Sequence, residues 1–440
     1  MIQMELGDKR LSKQDIENLL EQNADVAKNQ KRYKDNLEYY KGNNQYIINR
    51  LQARDVKSGV ITISYARKII QTVVGYMYQP GLITYTTENE KYGAVLEDIF
   101  KFNHEPIETS QLGKQTSVQG IGFEIHYVDS KEAVPRFSKA PAAQMIPIWD
   151  YSIEPELIAC MRHYMRGDDK HVYIYYPDEI EHWIKKESAS TYELDGAEAH
   201  FYKQVPIVVY QNNEEMIGDF ESVRDLIDAY DVLMTDSMNE FSRFCFAYLV
   251  MRGYSMSSEE ADNLRDIRAF MGLDENAQID FLTKEIPHEY IKFMSEWIKD
   301  EIHKQSHVPN FLESKTGDQL SGVAISKALY DFEFVAATKE AYFRKGLEKR
   351  IELINEISTI QDKETDAVDI VMSRNEPGRD MENAEIFEKL DGRISRKTLI
   401  EEFADFVENA DEELEQLDAE EKARMPEIDL DNLNGEAEEN

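Results

Sequence analysis

From Ser321 to Ile360 the chain contains no proline, and apolar side chains recur at Ile325, Leu329, Phe332, Ala336, Phe343, Leu347, Ile351, Ile354 and Ile357. That single stripe at i+3/i+4 spacing predicts one helix, about 60 Å long at 1.5 Å per residue. Between Pro287 and Pro309, Tyr290, Phe293, Met294, Trp297, Ile298 and Ile302 mark a second amphipathic helix. The stretch between the two, with Gly317-Asp318 in its polar middle, reads as an exposed loop. A helix as long as the first needs a long surface to lie against, and no other stretch of the chain is its equal. The pattern fits a bundle or coiled-coil helix, or a spine packed against copies of itself in a ring.

The same reading covers the rest of the chain. Residues 1–40 read as helical, with Leu11, Ile16, Leu19, Leu20, Val26 and Ala27 on a loose stripe, closed by the turn signature Tyr39-Tyr40-Lys41-Gly42-Asn43-Asn44. Val60 to Tyr78 is a more buried helix stopped by Gln79-Pro80-Gly81, followed by a strand at Leu82–Thr86 and helices at Tyr92–Asn103 and Gln111–Gly120. The period then drops to two. Strands are expected at Gly120–Val128, Gln144–Trp149, Ala159–Arg166, His171–Tyr176, Glu179–Lys185 and Val205–Tyr210, an antiparallel region with exposed faces. A helix opens at Asp219 and runs to about Phe246. Short strands at Tyr248–Met251 and Ile279–Leu282 bracket a helix start at Ser257-Ser258-Glu259-Glu260, a compact β-α-β knob on a two-helix stalk. After the long helix come a strand at Ala367–Ser373 and helices at Asp380–Leu390 and Ser395–Val407, the second capped by Ser395 with Thr398. An acidic run starts at Asp411, with disorder expected beyond Pro426. The fold class is α+β.

Composition narrows the function. A net charge of −36, from 86 acidic and 50 basic residues, disfavours tight binding to nucleic-acid phosphates. It is compatible with a wall past which DNA moves without being held. Two cysteines fit a reducing compartment rather than a disulfide framework, and both, Cys160 and Cys245, sit in apolar company as core residues. No segment resembles a signal peptide or a membrane span, so a soluble cytosolic product is expected.

The chemistry-bearing motifs fail one by one. Gly113-Lys114-Gln115-Thr116 lacks the first glycine of a phosphate loop, and Gly120-Ile121-Gly122 leads into a strand where a dinucleotide site needs a helix. His303 and His307 share a helix face, but Lys304 stands where a metalloprotease needs glutamate. Asp429-Leu430-Asp431 misses the calcium-loop pattern at Leu433. No catalytic residue, metal ligand set or cofactor is expected.

Several stretches, taken in order, resemble the portal proteins (head-to-tail connectors) of tailed bacteriophages, of the type in long-tailed phages of Gram-positive hosts. They are Val205-Pro206-Ile207-Val208-Val209-Tyr210-Gln211-Asn212-Asn213, Gly218-Asp219-Phe220 and Leu226-Ile227-Asp228-Ala229-Tyr230-Asp231. Val308-Pro309-Asn310-Phe311 through Leu320-Ser321-Gly322-Val323-Ala324, Gly346-Leu347-Glu348-Lys349-Arg350, Arg374-Asn375-Glu376-Pro377 and Ile394-Ser395-Arg396-Lys397-Thr398-Leu399 extend the likeness, which spans roughly residues 30 to 425. Residues 1–30 show no strong match.

The resemblance implies a wing at 1–222, a first stem helix at 223–249, a clip at 250–286 and a second stem helix at 287–307. It further implies a tunnel loop at 308–320, the long wing or spine helix at 321–360, a wing return strand at 361–378, a crown at 379–425 and an acidic tail at 426–440. The implied assembly is a dodecameric ring at one capsid vertex of the virion, formed in the host cytoplasm. It would pass double-stranded DNA during packaging by the terminase large subunit and during ejection. Its other implied partners are head-completion or adaptor proteins, tail proteins, and the major capsid and scaffolding proteins, with no membrane. Lys315, Thr316, Gly317, Asp318, Gln319 and Leu320 would project into the channel. The competing reading is a cytosolic helical scaffold or adaptor that pairs through its long helix, and for the loop an ordinary connector.

Overall fold

The computed structural model describes residues 2–6, 10–52, 60–129, 134–244, 248–252, 278–282, 288–310, 322–357, 367–375, 386–403, 410, 413–417 and 419. The chain divides into two compact units, Met1–Ser314 with Ala328–Arg374, and Lys315–Lys327 with Asn375–Asn440. The architecture is mixed α+β. The clip helix start at Ser257, Cys245, the Asp429-Leu430-Asp431 stretch and the tail beyond Pro426 lie outside the described residues.

In the first unit the N-terminal segment departs from the helical expectation. Ile2–Gln3 is extended (β1) and pairs in parallel with Ile148–Trp149. Helix begins only at Lys13–Glu17 (α1), where Ser12 and Asp15 form a reciprocal capping box. After one π-turn at Asn18–Gln22 the chain breaks, and the Asn23 side chain caps Ala24–Lys41 (α2), which ends at Gly42 in the left-handed conformation. A short helix at Gln45–Gln52 (α3) was not expected. The next helix, Tyr65–Met77 (α4), starts later than the apolar run at Val60 suggested, because the Ile61 and Ile63 backbone N–H groups donate to Thr235 and Asp231 instead of to a helix.

Ile83–Thr86 (β2), Glu90–Asn103 (α5) and Ile121–Val128 (β3) follow near their expected places, whereas Glu105–Gln119 (α6) begins six residues before the expected Gln111, with Pro106 in its first turn. The β region contains Pro135–Ala140 (β4), Met145–Trp149 (β5), Leu157–Arg166 (β6), Asp169–Tyr175 (β7), Glu179–Lys185 (β8), Glu193–Ala199 (β9) and Ile207–Gln211 (β10). One sheet has the order β1-β5-β6-β7-β8-β9 and a second the order β10-β3-β4, all antiparallel apart from the β1–β5 pair. The larger sheet buries Ile146, Ile148, Ala159, Met161, Val172 and Ile174 beneath Leu11, Ile16, Leu19 and Val26. Cys160 is buried on the opposite face, where loss of water pushes its thiol well above the usual range.

Arg224–Phe244 (α7) leads to Tyr248–Arg252 (β11), which pairs antiparallel with Gln278–Leu282 (β12). His288–Ser306 (α8) packs alongside α7. Gly322–Ile357 (α9) is the long helix, and Asp369–Met372 (β13) returns to pair with β2. In the second unit Ser395 caps Arg396–Phe403 (α10), accepting from the Thr398 N–H at 3.2 Å as expected.

Candidate functional site

The stripe on α9 is buried by its own chain. Leu329, Phe332, Ala336, Phe343, Leu347, Ile351 and Ile354 are all buried, with Phe332 against Tyr76 of α4 and Phe343 between Tyr78 and Tyr210. Of the two readings of this stripe, these residues follow the one in which the helix packs in a bundle, and not the one in which it packs against copies of itself. Gly346 makes the fit possible, since a Cβ there would stand 2.4 Å from the Tyr210 ring.

The apolar stripe skips one turn, between Ala336 and Phe343, which holds the fully buried cation Lys339, and a second fully buried cation, Arg350, stands beside Ile351. The Arg350 guanidinium forks onto Glu124 of β3, with Nε to Oε1 at 3.0 Å and Nη2 to Oε2 at 2.6 Å. Its Nη1 donates to Glu105 Oε1 and Thr109 Oγ1 of α6, both at 2.8 Å, and to Tyr85 OH at 3.3 Å. His126 and Tyr210 complete the ring of donors around Glu124. Burial alone would push the Glu124 carboxyl up, but the facing Arg350 charge, with the bonds from His126 and Arg350, outweighs it and holds the group at about 2.

Lys339 Nζ gathers three separate segments. It donates to both Asp219 oxygens at 2.7 and 2.8 Å, to Asn212 Oδ1 at 2.5 Å and to Ser117 Oγ at 3.1 Å. Burial pulls the ammonium down and Asp219 opposes that. Asp219 stands just before α7, and its loop is pressed onto α6, where a Cβ on Gly120 (φ 80) would meet the Met216 carbonyl at 2.0 Å. Nearer the start of α9, Arg374 bridges Glu333 at 3.1 Å and Glu340 at 2.6 Å.

The inner ends of α7 and α8 are equally well held. Asp228 accepts from Tyr39 OH at 2.7 Å and Asn44 Nδ2 at 2.6 Å, and Asp231 accepts from the Ile63 N–H at 2.8 Å. Tyr65 stands edge-on to both Tyr230 and His303, and Ile298 and Ile302 of α8 are buried. His303 Nδ1 bonds the Val308 carbonyl at 2.9 Å, and Lys68 donates to Asn310 at 3.1 Å, so the chain is pinned where the 311–321 stretch departs. The outer ends differ. Met238 and Phe241 on α7, and Tyr290, Phe293 and Trp297 on α8, lie 47–61% exposed.

The loop residues Lys315, Thr316, Gly317, Asp318, Gln319 and Leu320 lie outside the described residues. The groups the structure does bring together are Lys339, Arg350 and Arg374 with their acids; Lys339 and Arg350 were missed because a charged residue in a helix is normally read as solvated, and Arg374 because it follows a short strand with nothing local to mark its partners. The available signal was the seven-residue gap in the stripe between Ala336 and Phe343, with a lysine midway. Among the described residues no group of three or more His, Cys, Asp or Glu is placed to hold a metal ion, and no helix is long and apolar enough to cross a membrane.

Residues 22–427 match the family described as phage portal protein, SPP1 Gp6-like. The chain belongs to that family. The portal protein of Bacillus phage SPP1 is 24% identical over 284 residues, 60% of this chain and 56% of that protein, so the chain spans little more than half the length of that relative. The portal protein of Clostridium phage phiCD119 is 23% identical over 356 residues, 73% of this chain and 76% of that one. Both come from phages of Gram-positive hosts, as the resemblance in the sequence implied. Among solved structures, chains from the neck of an empty and of a native GTA particle align with TM-scores of 0.48 and 0.45 at 11% and 10% identity, covering 76% and 80% of this chain and 87% and 97% of theirs. The portal family is a structural one, the phage head-to-tail connectors.

Proposed function

We propose that this chain is the subunit of a dodecameric portal ring at one capsid vertex, a channel for double-stranded DNA during packaging by a terminase and during ejection. The same ring would carry head-completion and tail proteins and assemble with capsid and scaffolding proteins in the host cytoplasm. On this reading α7 and α8 are the stem, β11 and β12 belong to the clip, residues 308–320 are the tunnel loop and residues 379–425 the crown.

The observation that carries the reading, beside family membership, is the uncovered outer half of the stem. Aromatic side chains continue along both helices past the point where the chain's own packing stops, and a neighbouring copy is the partner a closed ring supplies. The adaptor alternative loses its main support, because most of the long helix's stripe is already occupied.

Native mass spectrometry with negative-stain imaging tests this. A closed ring of about a dozen copies with a central hole is the expected result; a stable dimer joined through its long helices would overturn it. A finer test concerns the loop. Its small polar residues suit weak contact with passing DNA, so Asp318→Arg should slow packaging by adhesion, and an unchanged rate would remove the loop from the channel wall.

A further inference from the structure

Resting on the portal reading, we infer a second contact between neighbouring copies, apart from α7 and α8: Ile153, at the tip of the β5–β6 loop, seats in the groove that β2, α5 and the start of α6 form on the next copy. The loop that carries Ile153 is braced. Asp150 Oδ1 accepts from the Ser152 N–H at 3.3 Å, Ser152 Oγ at 2.7 Å and the Glu156 N–H at 2.8 Å, while the Asp150 N–H donates to the Glu156 carbonyl at 3.0 Å. Tyr151 OH donates to the Gln3 carbonyl and Gln3 Nε2 to the Asp150 carbonyl, both at 3.0 Å. Ile153 stands fully exposed on this frame. A side chain held ready in this way costs little ordering entropy when it binds.

The groove, about 860 Å³, is lined by Tyr85, Leu96, Phe100, Pro106, Ile107 and Val368, with Ile107 exposed to solvent. Beside them stand His104, Lys101 (paired with Glu97 at 2.5 Å) and the N-terminus of α6, the positive end of its dipole. Glu105 of that first turn is bound to Arg350. The loop brings Glu154 and Glu156, both exposed, and no cation. An aliphatic tip among carboxylates thus meets an apolar floor beside a positive helix end.

Placement on the subunit fits a ring, in which two different patches on opposite flanks must meet at one level. Near the end of α9, Ile354 packs with Leu96, Phe100 and Val368 of the groove. Glu356 accepts from the Lys203 N–H at 3.0 Å and from Gln204 Nε2 at 3.1 Å. Those two residues line the same hollow as Tyr151 and Ser152. Residues two apart on a helix point about 200° from each other and are separated by about 3 Å along the axis. Loop and groove therefore flank the end of α9 on opposite sides, and one copy cannot fill its own groove.

Cross-linking of assembled full-length protein tests the pairing. With Ile153→Cys and Ile107→Cys together, a short bismaleimide should give a ladder of covalent oligomers on a denaturing gel. Either single variant should give no more than wild type, because the two patches differ. Ile153→Asp should leave the melting curve of the subunit unchanged and lower the yield of closed rings by native mass spectrometry at least about tenfold, since it carries a charge into an apolar groove. Rings that form undiminished with Ile153→Asp, or double-cysteine rings that give no ladder, would leave the groove to another protein and overturn the inference. A ladder from Ile153→Cys alone would overturn it too, since like patches would then meet. Failure of the wild-type chain to form rings would instead overturn the portal reading.

Discussion

The long helix and the outer halves of α7 and α8 carry the same kind of apolar stripe, and the fold treats them oppositely. On α9, Phe332 and Phe343 are sealed at 1% and 0% exposure, and the chain can place whole cations among them because every acceptor is supplied from within. On the outer halves of α7 and α8, Phe293 and Trp297 stand 61% and 47% exposed. A buried charge is tolerable only where its partners are permanently in place, so Lys339 and Arg350 mark the part of the molecule that one copy completes. On the portal reading, bare aromatic rings mark the part that one copy leaves for its neighbour.

The largest effect should come from breaking the finished part. Arg350→Met leaves Glu105 and Glu124 buried without their cation, at a cost of about 3–5 kcal/mol, read as a lowered urea midpoint. Gly346→Ala forces the Tyr210 ring aside in a packed core and should cost about 1–3 kcal/mol. If that variant melts with wild type, the contact between α9 and β10 is looser than its geometry implies.

A third variant tests the inner end of α7 through pH. Loss of water pushes the Asp231 carboxyl up from 3.8 to about 6. A group that holds its proton more tightly when folded stabilises while protonated, so its contribution is complete at low pH and is lost as pH rises from about 4 through 6. Glu124 works in the opposite sense, contributing above the usual carboxylate range and losing its effect as pH falls toward 2. Asp231→Asn keeps an oxygen for the Ile63 N–H but cannot titrate, so stability should vary less between pH 4 and 6. An identical pH profile would put Asp231 in contact with water.

What was legible in the sequence follows from the range of the forces involved. Periodicity located α9, most of the strands and the Ser395 cap, all products of local geometry. It failed where the deciding partner is distant. The stretch from Val60 reads as the start of the helix, yet the backbone of Ile61 and Ile63 is captured by α7, some 170 residues away. Glu193–Ala199 carries no alternating stripe, because β9 is an edge strand exposed along its whole length. Ile2–Gln3 is too short to read without its partner, β5. Lys339 was visible only as a gap in a stripe, and Arg350, Asp219, Asp228 and Asp231 only as parts of a family likeness without a role.

The variant expected to disturb the fold least bears most directly on the comparison. Phe293 lies on the exposed side of α8, so Phe293→Asp removes little packing within one chain. Its effect on the stability of the isolated subunit should stay within about 0.5 kcal/mol. In a ring, the same change would place a carboxylate in an interface stripped of water, where an unpaired charge is costly. The two quantities should therefore part company, with an unchanged subunit melting curve and a loss of closed rings by native mass spectrometry. Phe332→Asp, the matching change on α9, should unfold the subunit outright. If Phe293→Asp rings form normally, the exposed aromatics are not the seam between copies. If the isolated subunit melts early, that half of the stem is already covered by its own chain.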